Sequence, residues 1–424
     1  MTVQIFVDGL FVPVHDGAEP YRGFLTAENG VITATGPGSP EIPAGATVVD
    51  LAGKLVLPGF VSAHSHLWQS VLRGLADGCS TYGWIEQLHL KYGPLLTEAD
   101  MYAFTVHGGT DLLRHGITTV CNHTHSFGDG ASGQWRAALD LPQRTIYSHS
   151  PSRLDSATER LSGIERFQQT TAEVGDPRVL ARSYNTTWPL PEADMRTEAA
   201  LLTEYGIGQH LHFLEDPAAT ERQRAEFDRL LATGSVGPDT VFAHFIHTTP
   251  EIVARAGARG AAMVWNPLSN GRLGSGIPDI LGYQAAGIRV GLGVDGQASA
   301  DVADPFQNMR TGLYLLRAAA QNAAVLSSRE ILRMHTLGSA EALGVADRVG
   351  SLEPGKFADF VVIDPERPST GPLGPDLYAH TVLALSAANI TDVRVGARSV
   401  STGLFEPADS GAVTERVAAL RALL

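Results

Sequence analysis

From residue 55 to residue 296 the chain alternates short apolar runs with helical patterns of ten or more residues, and every run stops in polar residues. The runs are 55–66, 117–125, 144–149, 179–187, 208–215, 240–247, 261–270 and 289–296. Parallel strands need a crossover of about a dozen residues or more, usually a helix. Eight strand-then-helix units therefore point to an α/β chain closed into a (β/α)8 TIM-type barrel of roughly 250 residues. A doubly wound open sheet shares the local pattern, but no glycine-rich phosphate turn follows the first run. The stretch after the first run shows the helical punctuation. Thr97 is an N-cap, acidic residues fill the first turn, and Arg114, His115 and Gly116 make the stop.

The two ends of the chain read differently. Residues 4–14 and 24–35 alternate apolar and polar side chains, with Glu28, Asn29 and Gly30 supplying a tight turn. Strand-and-turn patterning returns from about Gly350, over 351–356, 358–364 and 393–401, and 411–424 reads as a closing helix. The expected organisation is a small β-sandwich built from residues 1–57 and 349–424, beside a barrel spanning 58–348.

The formal charge of −14, without runs of Lys or Arg, argues against nucleic acid or an anionic membrane as partner. No apolar run approaches the ~20 residues of a membrane span. The amino terminus lacks the basic start and small-residue cleavage site of a signal peptide. Two cysteines, Cys79 and Cys121, make no disulfide framework. The expected setting is the cytoplasm, with a small molecule as partner and a homo-oligomer compatible with the pattern.

Barrel enzymes carry their chemistry at the carboxyl ends of strands. The first run ends Ala63-His64-Ser65-His66, where side chains two apart share a face. The fifth run ends His210-Leu211-His212-Phe213-Leu214-Glu215, the sixth carries His244, and the eighth ends in Asp295. Each has an ordinary reading alone: packing for a His-x-His pair, a turn for the Asp, a helix-dipole acid for Glu215. Their coincidence at the ends of strands one, five, six and eight favours a site. Three imidazoles and a carboxylate suit one divalent ion, Zn2+ first and Fe2+ second, with a position left for water.

These motifs resemble the amidohydrolase superfamily, in its cytosine deaminase, guanine deaminase and triazine hydrolase branch. The matching segments are 57–66 (LPGFVSAHSH), 212–215 (HFLE), 243–244 (AH), 266–270 (NPLSN), 293–296 (GVDG) and 350–359 (GSLEPGKFAD). They run in the family's order over almost the whole chain. The resemblance implies a distorted barrel with a β-sandwich from both chain ends. It implies His64, His66, His212 and Asp295 as metal ligands, Glu215 as proton shuttle, His244 as the residue orienting water or substrate, and Asp295 as acceptor of the water's proton. Many members bridge two metals with a lysine ending strand four. Residues 179–187 contain none, and the three lysines, Lys54, Lys91 and Lys356, lie elsewhere. One ion per chain follows.

The resemblance also implies a substrate-binding carboxamide at Gln69. Trp68, Trp84 and Trp188 fall near strand ends, where they could stack on a flat ring or pack the barrel wall. His125 is a further candidate substrate contact, His210 reads as packing beneath the metal, and His123 and His149 stay open. The leading expectation is hydrolytic deamination of an amino-substituted heterocycle of purine, pterin, pyrimidine or triazine type. The alternatives are hydrolysis of a cyclic amide, displacement of chloride or alkylamine from an aromatic ring, and a catalytically dead scaffold.

Overall fold

The computed structural model describes residues 2–127, 130–152, 155–172, 175–185, 190–367, 369–401 and 410–422. Five strands come first: β1 (Val3–Phe11), β2 (Tyr21–Glu28), β3 (Val31–Pro37), β4 (Thr47–Asp50) and β5 (Leu55–Pro58). Nine follow, largely separated by helices: β6 (Phe60–His66), β7 (Ile117–His123), β8 (Arg144–His149), β9 (Val179–Tyr184), β10 (Gly208–Phe213), β11 (Thr240–His244), β12 (Ala262–Trp265), β13 (Arg289–Leu292) and β14 (Asp295–Gly296). The last are β15 (Phe360–Ile363), β16 (Ile390–Val395) and β17 (Arg398–Ser399).

By packing, the chain forms two compact units. One comprises Met1–Ser62, Thr110–Thr119 and Ala303–Ala408; the other comprises Ala63–Gly109, Val120–Val302 and Asp409–Leu424. In the first, both chain ends share one hydrogen-bonded sheet in the order β17-β16-β15-β5-β1-β2-β3, with β4 added on β1. β2 and β3 form the expected hairpin, and Asn29 (φ 50°) and Gly30 (φ 85°) supply the left-handed turn that matches strand twist. β5 meets β15 antiparallel, with Leu57 opposite Val361. Phe6, Phe11, Leu25, Val56, Phe360 and Val362, drawn from β1, β2, β5 and β15, close this unit's core.

The second sheet runs β13-β12-β11-β10-β9-β8-β7-β6-β14. The eighth strand is broken. Leu292 pairs with Trp265 on one side, and three residues later Asp295 pairs with Ser65 on the other, which closes the ring. Gly293 makes the break. A Cβ there would lie 2.4 Å from Asn266 Oδ1 and 2.7 Å from the His64 carbonyl. β6, β7, β11 and β12 are buried along their whole length, as parallel strands covered on both faces must be.

The (β/α)8 barrel expected from the eight runs is the fold observed. The first run, however, divides at Gly59 into β5 and β6, which belong to different sheets. A Cβ at Gly59 would meet Thr118 Oγ1 at 2.0 Å, so only glycine fits the crossing. The helix Glu98–Arg114 starts and stops where its caps require, with Thr97 Oγ1 accepting from the Asp100 amide and Gly116 at φ 79°. The closing helix, Ser410–Ala422, packs with the barrel unit rather than with the chain-end strands it follows in sequence. Arg416 reaches Asp100 at 2.7 and 2.8 Å, and Leu420 enters an apolar cluster with Trp84 and Leu96. Residues 303–348, within the expected barrel segment, pack with the chain-end strands. Among the described residues, no helix is long and apolar enough to cross a membrane.

Candidate active site

Five imidazoles and two carboxyl groups converge at the ends of β6, β7, β10, β11 and β14. Three groups of donors have their ligand atoms within 4.8 Å of one another: His64, His66 and Asp295; His64, His212 and His244; His66, His123 and His212. Asp295 Oδ1 lies 3.5 Å from both His64 Nε2 and His66 Nε2, and His66 Nε2 lies 3.2 Å from His212 Nε2. His66 Nδ1 donates to the His123 carbonyl at 2.8 Å, an oxygen that can only accept. The second nitrogen of His66 therefore turns a lone pair toward the Asp295 carboxylate and the His212 ring. Acceptors so arranged repel one another unless a cation lies among them. The donor set fits a divalent ion of borderline softness.

Protonation states agree with that fit. Burial, reinforced by neighbouring imidazoles, holds His64 and His212 well below the usual imidazole range, and burial lowers His66 too. Neutral rings are the ones that bind metals. Glu215 is displaced in the opposite sense: burial first, and the Asp295 charge second, push its carboxyl well above the ordinary range, against hydrogen bonds from Thr81 and Ser275. A carboxyl shifted in that direction holds its proton more firmly than a free one, which suits it to donate one.

The remaining polar groups orient these. Ser269 Oγ donates to Asp295 Oδ2 at 2.6 Å, leaving Oδ1 turned to the histidines. Asn270 Nδ2 donates to His244 Nδ1 at 2.9 Å, and Asn266 Nδ2 lies 3.3 Å from the same nitrogen. With Nδ1 accepting, the proton of neutral His244 sits on Nε2, from which the ring can donate. Glu215 Oε1 stands 3.5 Å from His244 Nδ1. Leu214, His244, Phe245 and Asp295 all have positive φ, at 56°, 71°, 49° and 57°. Non-glycine residues in that region cost of order 1–3 kcal/mol each and gather where side chains must be re-aimed.

Beside this cluster stands an aromatic wall. The His125 ring lies 5.1 Å from that of His66 and stacks on Phe127 at 5.6 Å. His89 sits 4.7 Å from His125, 5.2 Å from Trp68 and 4.8 Å from Trp84. Trp68 donates to His125 Nδ1 at 3.1 Å, Trp84 to the Ala298 carbonyl at 2.8 Å, and Gln69 Nε2 lies 3.1 Å from His89 Nε2. Trp68 and Gln69 are 0% exposed and Trp84 5%, so all three stand behind the two imidazoles. Trp188 lies outside the described residues. His149 packs on Phe167 and Tyr184, and burial lowers it to about 4.

His123 and His89 were not singled out in the sequence as parts of this site. His123 lies with its ring 4.5 Å from that of His212, two residues before the expected contact His125. Its signal was the second His-x-His pair. Ser269 and Asn270 were visible only as letters of the 266–270 motif, without roles.

A family model described as "Amidohydrolase family" matches residues 55–400. The chain is similar to the 5-methylthioadenosine/S-adenosylhomocysteine deaminase of Symbiobacterium thermophilum, 29% identical over 393 residues that cover 89% of this chain and 88% of the relative. It is likewise 29% identical over 361 residues to the 5'-deoxyadenosine deaminase of Methanothermobacter thermautotrophicus, covering 82% of each. The solved structure of an adenosine deaminase from Xanthomonas campestris with bound zinc shares the fold, with a TM-score of 0.86 at 24% identity, over 99% of this chain and 98% of that one.

Proposed function

The chain belongs to the amidohydrolase family, and from that premise we propose that it is a hydrolytic deaminase of an amino-substituted nitrogen heterocycle, holding one divalent ion, Zn2+ in the first place, through His64, His66, His212 and Asp295. The observation that carries this reading is the position of Asp295 Oδ1, 3.5 Å from the Nε2 atoms of both His64 and His66, with the buried Glu215 carboxyl, pushed well above the ordinary range, alongside. The ion, when bound, supplies a water activated at neutral pH. Asp295, its other oxygen held by Ser269, accepts that water's proton. Glu215 gives its proton to the ring nitrogen next to the carbon under attack, and His244 aligns the reacting oxygen through Nε2–H. Asp295 passes the proton it accepted to the exocyclic amino group, the C–N bond breaks to release ammonia, and the hydroxyl proton left on the attacked carbon returns to Glu215 as the carbonyl forms.

A single ion is supported by the lysines. Lys91 Nζ is bonded to Gln87 and Lys356 Nζ to Ser351, while β9 carries none. Both curated relatives are named as deaminases of adenosine derivatives, which supports an aminopurine as the first substrate class. His89 and His125, backed by Trp68, Trp84 and Gln69, are suited to hold a planar ring, and the enzyme is assigned to the cytoplasm. The test is a panel of amino-purines, pterins, pyrimidines and triazines read by ammonia release from zinc-loaded protein. Ammonia from a purine member is expected. No ammonia from any member, with ring opening of a lactam or chloride release instead, would overturn the deaminase reading.

A further inference from the structure

His210 is 0% exposed and lies beneath the ion site, where no role in the reaction reaches it. Its ring is 5.0 Å from that of His64, and His210 Nε2 is 3.0 Å from His64 Nδ1. On its far side, His210 Nδ1 is 3.3 Å from Cys121 Sγ, and Cys121 is also fully buried. Three side chains from β6, β10 and β7 thus form one line of hydrogen bonds ending at the ligand cluster.

The direction of that line decides what His64 offers. If His64 Nδ1 carries the proton and donates to His210 Nε2, His64 Nε2 holds a lone pair toward Asp295. His210 must then carry its own proton on Nδ1 and donate to the cysteine sulfur. Run the other way, the line puts a proton on His64 Nε2, which would point an N–H at Asp295 Oδ1 and close the space a cation needs. We propose that His210, with Cys121 behind it, is the positioning residue that keeps the lone pair of His64 on Nε2 and so sets the affinity of the ion site. Outer partners that fix the tautomer of a ligating histidine are worth about 10–100-fold in metal affinity. This inference rests on His64 being a ligand, as proposed above.

The experiment is a titration of metal-depleted protein with Zn2+ in competition with a chromophoric chelator, accompanied by the thermal midpoint of each metal-free variant. His210→Phe, which keeps a ring and removes the acceptor, is expected to bind zinc about 10–100-fold more weakly. His210→Gln, whose carboxamide oxygen can accept from His64, should recover part of that loss. Cys121→Val should weaken binding by a smaller factor than His210→Phe, and Cys121→Ser should stay near wild type. Zinc affinity equal to wild type in His210→Phe would overturn the proposal. Should that variant fail to fold, equal affinity in Cys121→Val and Cys121→Ser would do so. A wild-type chain that takes up no zinc would overturn the ion-site reading itself, and the His210 role with it.

Discussion

At the scale of single residues, the proposed chemistry asks two neighbouring carboxyl groups for different roles, proton donor and metal ligand. Glu215 and Asp295 divide those roles by surroundings: Glu215 is buried and feels the Asp295 charge, whereas Asp295 takes hydrogen bonds from Ser269 and the Gly296 amide. Replacing Glu215 by Gln should leave zinc binding intact and lower kcat by about 10²–10⁴-fold, the usual worth of a general acid. Undiminished turnover in that variant would remove Glu215 from its role. Asn270→Ala takes away the N–H that fixes the His244 tautomer. A fall of about 10–100-fold in kcat, with KM nearly unchanged, is expected from steady-state kinetics. The proposed ligands and Glu215 could be picked out in the sequence because strand-end position is a local property. Asn270 and Ser269 act on partners 26 residues away, His244 and Asp295, and such pairings appear only once the strands are side by side.

At the scale of elements, all eight expected runs supply successive barrel strands, and the first and last are the ones that behave unexpectedly. The first is cut at Gly59 and the last at Gly293, where the Thr118 side chain, and the Asn266 side chain with the His64 backbone, leave no room for a Cβ. Periodicity finds apolar runs but carries no information on what a neighbouring strand will press against. The same crowding recurs at Gly296, where a Cβ would stand 1.7 Å from Gln69 Oε1. Gly296→Ala should therefore push the Gln69 carboxamide away from His89, raising KM while one zinc per chain is retained. An unchanged KM would show that Gln69 does not support the substrate wall. Burial also separated the aromatic candidates in a way spacing could not: Trp68 and Trp84 sit behind His125 and His89, although all lie near strand ends.

At the scale of the whole molecule, folding must bury many histidines in the neutral form. His335 is the cleanest case: it is 0% exposed, donates to the Val61 carbonyl, receives from Asn308, and burial lowers it to about 4. The unfolded chain binds a proton at about 6.5. Its contribution is thus fully present above about pH 6.5 and is lost as pH falls toward 4, by roughly 2 kcal/mol between pH 7 and pH 5. Urea midpoints should fall over that interval, and fall less steeply in His335→Gln; identical slopes would exclude His335 as a source. Metal removal acts in the same direction, because an ion that binds only the folded chain stabilises it in proportion to the logarithm of its excess over Kd.

One divalent ion held by four side chains is what anomalous diffraction at the zinc edge, from crystals of the zinc-loaded, active protein, would reveal. A single peak is expected, coordinated by His64, His66, His212 and Asp295, with His123 and His244 outside bonding distance. Two peaks per chain, or one peak seated on His66, His123 and His212 without Asp295, would contradict it.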